Sequence, residues 1–66
     1  MITMHFEFLY ENIDKVLEIL QSEEFKIINN DGDKFTVEMR MQDWELREWK
    51  ATFASSYLLF SANVRD

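Results

Sequence analysis

The sequence has no cysteine, no proline, one glycine and one histidine. Each scarcity removes a class of explanation. Without cysteine there are no disulfides and no thiolate metal sites, so neither a disulfide scaffold nor a zinc finger is available. A single histidine cannot build a multi-histidine metal centre. No run approaches the roughly 18 apolar residues of a membrane-spanning helix, and the N-terminus lacks the basic stretch and apolar run of a signal peptide. The expectation is a soluble, cytoplasmic protein. Basic residues are also scarce, seven against thirteen acids, for a formal net charge of −6 on 66 residues. Disorder does not follow from that charge, because 47% of the residues are hydrophobic and 15% aromatic. A chain this short buries only about 60% of the surface its unfolded form exposes, so dense packing or self-association must supply stability.

With no linker, repeat or low-complexity stretch, residues 1–66 read as one compact domain. Ile2, Met4, Phe6 and Phe8 alternate with Thr3, His5 and Glu7, the period of a half-buried strand. Asn12 reads as a helix N-cap with Asp14 in the first turn. Ile13, Val16, Leu17 and Leu20 then make an apolar stripe, with Glu11, Asp14 and Glu18 opposite, which predicts a helix over roughly 12–24. Two strands, 25–29 and 34–42, flank Asn30-Asp31-Gly32-Asp33, where the Asp-Gly pair supplies the positive φ of a tight hairpin. In the second of them Phe35, Val37, Met39 and Met41 alternate with Thr36, Glu38, Arg40 and Gln42.

The last third reads two ways. Asp43 can cap a helix carrying Leu46, Trp49 and Phe53, and the same spacing continues through Tyr57, Phe60 and Val64. One long C-terminal helix would present Ala54, Ser55, Leu58, Leu59, Ser61 and Ala62 outward, turn after turn without a charge. The favoured reading stops the helix near Ser55-Ser56 and begins a strand with Leu58, Phe60, Ala62 and Val64 inward and Leu59, Ser61 and Asn63 outward. The fold class expected is therefore α+β, a small antiparallel sheet with two helices on one face in ferredoxin-like βαββαβ order. A βαββα chain with one long final helix is the alternative.

Several chemistries fail on the residues present. Single-stranded RNA binding on an open sheet face needs exposed aromatics and basic surroundings. This face offers His5, Glu7, Glu38 and Arg40 instead, on a chain whose charge repels phosphate. Metal carriage through a paired-cysteine loop is excluded. Asn29, Asn30, Asp31 and Asp33 gather oxygen ligands, but without the twelve-residue spacing and closing glutamate of a calcium loop. No phosphate loop, nucleophile elbow or Cys/His pair is present, and His5 reads as part of a cross-strand polar cluster with Glu38 and Arg40. No catalytic residue, metal ligand or cofactor is assigned.

Binding to protein remains. Glu11, Asp14 and Glu18 form a row, followed by Glu23 and Glu24, and residues 11–24 hold five acids and only Lys15. Trp44 lies opposite the Leu46/Trp49/Phe53 stripe, and Leu9, Tyr10 and Leu59 are surplus apolar area. The candidate partner-binding residues are Glu11, Asp14, Glu18, Glu23, Glu24 and Trp44. The leading expectation is an acidic interaction module, an inhibitor or adaptor. In size and charge it is similar to short, cysteine-free inhibitors encoded by phages, and an acidic helix face can stand in for nucleic-acid phosphates on a basic enzyme. A homo-oligomeric structural or regulatory module, joined through edge strands or the C-terminal segment, is the alternative.

Overall fold

The computed structural model describes residues 1–65, with Asn29 and Asp31 described through their backbone alone. The elements follow as β1 (Ile2–Leu9), α1 (Ile13–Leu20), β2 (Lys26–Asp31), β3 (Lys34–Met41), α2 (Asp43–Ser55) and β4 (Leu59–Val64). The strands form one sheet in the order β2-β3-β1-β4, and every neighbouring pair is antiparallel. The fold is a small α+β domain. The long C-terminal helix does not form.

The period-two pattern of β1 and β3 sets the core. Met4 pairs with Met39, Phe6 with Val37 and Phe8 with Phe35, and all six are buried on one face of the sheet. The helices close that face. Val16 and Leu20 of α1 and Phe53 of α2 are fully buried in the same cluster. Phe53 lies edge-on to Phe8 at 4.8 Å and tilted against Phe6 at 5.4 Å, and Trp49 stacks outside it at 5.6 Å. Each of the fully buried phenylalanines contributes about 1.5–3 kcal/mol by leaving water.

Four boundaries differ from the sequence reading, each for a local reason. A 3-10 turn, Tyr10–Asn12, precedes α1, so Asn12 stands at the cap position without the extended backbone or side-chain hydrogen bond of a cap. Helix α1 stops at Leu20 rather than continuing to 24. Gln21, Ser22, Glu23 and Glu24 offer no apolar side chain to bury, and a short helix needs a packed face to persist. Glu23 N–H instead donates to the Leu20 carbonyl at 2.8 Å, closing a turn. In α2 the cap is Gln42, with Asp43 the first helical residue, and the Gln42 N–H donates to the Glu45 carboxylate at 2.9 Å. That is the reciprocal half of a capping box. The β2–β3 hairpin turns on Gly32-Asp33 between paired Asp31 and Lys34, with the positive φ, +65°, on Gly32.

The inward and outward faces of β4 also differ from expectation. Glu7 pairs with Ser61 but Phe8 pairs with Leu59, so Phe60 is an extra residue in the ladder. A bulge of one residue reverses which side chains face the core. Leu58 and Ala62 keep their inward places, Leu59 packs against the core, and Phe60 turns out, 56% exposed. Strand β2 is bulged in the same way at Ile28.

Candidate functional site

The acid row stands on α1 and the turn before it. Glu11, Asp14 and Glu18 are exposed, as is Lys15 beside them. Asp14 and Glu18, four residues apart, lie along one side of α1, and Glu11 stands in the 3-10 turn that leads into it. Among the described residues none of the three carboxylates is in a hydrogen bond or ion pair. Like charges four apart destabilise a helix by a few tenths of a kcal/mol, so α1 carries this row at a small cost that its buried Val16 and Leu20 offset.

Glu23 and Glu24 do not extend the row along the helix. Both are exposed in the connector between α1 and β2. Glu24 instead helps line a shallow depression of about 490 Å3, together with Met1, Phe25, Lys26, Glu38 and Arg40. Two carboxylates, Glu24 and Glu38, and two cations, Lys26 and Arg40, share its lining. Trp44 is 68% exposed in the first turn of α2, on a different element from the acids. Leu9 is half-buried, and Tyr10 sets its ring edge-on to Phe35 at 6.1 Å.

The other face of the sheet is polar. His5 lies directly opposite Glu38 and its Nε2 is 2.9 Å from the Glu38 Oε2, the cross-strand pairing that the alternation predicts. Ser61 Oγ donates to Glu7 Oε1 at 3.0 Å. A second depression of about 290 Å3 lies among His5, Glu7, Ile28, Thr36, Ser61 and Arg65. Tertiary structure adds cations that the linear sequence keeps apart. Lys26 pairs with Glu38, Arg40 with Thr3 and Lys34 with Leu9, all in the outward register, and Arg65 joins them at the end of β4. The Lys34 ammonium sits 4.7 Å from the centre of the Phe60 ring, a cation–π contact. Charge is thus separated within the molecule, acids along α1 and a mixed, cation-bearing surface on the sheet. No single segment signals this, because β2, β3 and β4 each bring one or two of those cations.

No group of three or more potential metal ligands gathers among the described residues. Of the four oxygen-bearing residues at the hairpin, the side chains of Asn29 and Asp31 lie outside the described set. Asn30 and Asp33 are exposed, and Asp33 lies 3.8 Å from the Lys34 ammonium. Among the described residues no helix is long and apolar enough to cross a membrane. Comparison with protein-family models, with curated proteins and with solved structures finds no match.

Proposed function

We propose that this chain is a small protein-interaction module, an inhibitor or adaptor, that docks the acidic side of α1 onto a basic surface of a protein partner. One observation carries the reading: Glu11, Asp14 and Glu18 are exposed in a row with no partner among the described residues. Carboxylates held this way keep their charge available to an incoming cation, and such a row speeds and orients association more than it deepens affinity. Asp14 and Glu18, four helical residues apart, are offset by about 6 Å along the α1 axis, close to the axial rise of about two base pairs, at about 3.4 Å each, over which one DNA strand carries two phosphates. A basic nucleic-acid enzyme is therefore the partner class that the row suits best. Glu23 and Glu24 stand apart from this surface, and Trp44 is an exposed aromatic on a second element.

The test is capture of binding proteins from the native host lysate by the wild-type chain and by a triple variant, Glu11→Lys, Asp14→Lys and Glu18→Lys. Wild type retains a basic protein at low salt and releases it as salt shortens the Debye length from about 10 Å toward 3 Å. The triple variant does not retain it. An identical bound set with identical salt dependence for both chains overturns the reading.

A further inference from the structure

We propose that the free edge of β4, with the C-terminal turn of α2 beside it, is a self-association surface that joins two copies of this chain into a two-fold dimer. This inference is independent of the acidic docking surface and uses the opposite end of the sequence. Three observations meet at this edge. First, β4 is an outer strand of the sheet, so half of its backbone N–H and C=O groups point away from β1, ready to pair with another strand. Second, residues 51–64 carry no charged side chain in a chain that is 30% charged. The other edge, β2, carries an exposed lysine, Lys26, whereas both edges are bulged alike. Soluble proteins ordinarily protect an edge with charge, and β4 has none. Third, the exposed apolar area of this run concentrates there: Phe60, Val64 and Tyr57, the last 94% exposed.

Tyr57 is the most exposed of the three. Its φ is +56°, the left-handed region where a glycine sits at no cost and a tyrosine is strained. The residue keeps a large ring in open solvent at a position that disfavours any side chain. The left-handed backbone serves the closure of α2, where Tyr57 N–H donates to the Ala54 carbonyl and Leu58 N–H to the Phe53 carbonyl; what remains for a second copy to cover is the ring, 94% exposed beside β4.

The occupant follows from charge. A basic partner gains nothing from an uncharged strip, whereas two copies carrying −6 each repel everywhere their acids meet. The 51–64 strip lets them approach without opposing carboxylates. An antiparallel strand edge is also self-complementary, as a two-fold contact requires. Ala51, Ala54 and Ser55, exposed on the adjoining helix, are small enough to let the two α2 helices come close above the joined strands.

Sedimentation equilibrium of the purified chain from about 1 µM to about 1 mM tests this directly. The wild type passes from monomer to dimer and goes no further, since the contact is closed. Phe60→Glu places a carboxylate beside the Lys34 ammonium, which keeps the monomer folded, and weakens the dimer at least about 30-fold. Asn63→Lys, a second edge charge at an exposed position, weakens it as well. Tyr57→Gly weakens the dimer about tenfold while making the monomer more resistant to denaturant, a combination that a purely structural tyrosine does not produce. Added salt leaves the dimer unchanged or strengthens it, and the triple reversal at Glu11, Asp14 and Glu18 does not weaken it. A wild type that stays monomeric throughout overturns the proposal. So does a dimer that Phe60→Glu and Asn63→Lys leave intact, or one that salt dissociates.

Discussion

The Leu58 N–H donates to the Phe53 carbonyl at 3.0 Å, while both side chains lie in the core. With Tyr57 N–H donating to the Ala54 carbonyl at 3.0 Å, this is a Schellman closure of α2: a six-to-one bond around a five-to-two bond. The left-handed residue that it requires is Tyr57. Helix α2 therefore ends because Leu58 gains more by folding back over Phe53 than by continuing into solvent. The chain that leaves the closure runs into β4.

Tyr57→Gly is expected to stabilise the monomer. Glycine relieves the left-handed strain, worth about 1–2 kcal/mol, and returns part of it as unfolded-state entropy, leaving a gain of about 0.5–1 kcal/mol. For a domain of this size that is a rise of several degrees in Tm, at about 4–8 °C per kcal/mol. Thermal melts of dilute protein, where any dimer is dissociated, check it. A lower Tm for the glycine variant would mean that the tyrosine ring holds the monomer together.

Phe53→Ala is expected to cost about 3–5 kcal/mol, the range for truncating a buried phenylalanine. At about 0.05–0.15 kcal/mol per residue, a domain this small has little more than that to lose. The variant should be largely unfolded at 25 °C, or unfold at much lower urea. Trp44→Ala, on the exposed side of the same helix, should stay within about 0.5 kcal/mol of wild type. Urea titrations of the three chains decide the matter, and a Phe53→Ala midpoint near that of wild type would contradict the packing of α2 on Phe6 and Phe8.

Gly32→Ala isolates a backbone effect. A Cβ at Gly32 would meet nothing within 4 Å, so no clash contributes, yet the φ of +65° is unfavourable for alanine. A loss of about 1 kcal/mol is expected, and less for Gly32→Asn, since asparagine tolerates the left-handed region. Equal denaturation midpoints for glycine and alanine would show that the turn relaxes without strain.

Much of this architecture was legible in the residues. Strands β1 and β3 announce themselves because Met4, Phe6, Phe8 and Phe35, Val37, Met39, Met41 alternate without a break, and the His5–Glu38 pairing follows from that register. Of the candidate site, the exposure of Glu11, Asp14 and Glu18 was readable from their place opposite the Val16/Leu20 stripe. The outlying position of Glu24 was not, since it depends on where α1 stops and on Lys26 and Arg40 being brought beside it. The cations on the sheet face were equally hidden, being scattered over three strands.

Sequence by itself determined the inward face of the central strands, the acid row, and the missing charge from 51 to 64. Those features depend only on periodicity and composition, which neighbours in the chain carry. Tertiary structure decided what the uncharged stretch becomes. The spacing of Phe53, Tyr57, Phe60 and Val64 suits a continuing helix as well as a strand, and no glycine marks the stop. Helix α2 ends at the closure because the Phe6 and Phe8 rings fix Phe53 beneath it and Leu58 can bury there, and the bulge opposite Glu7 and Phe8 then turns Phe60 outward. Both depend on partners some fifty residues away in the chain, on β1, which no local pattern contains.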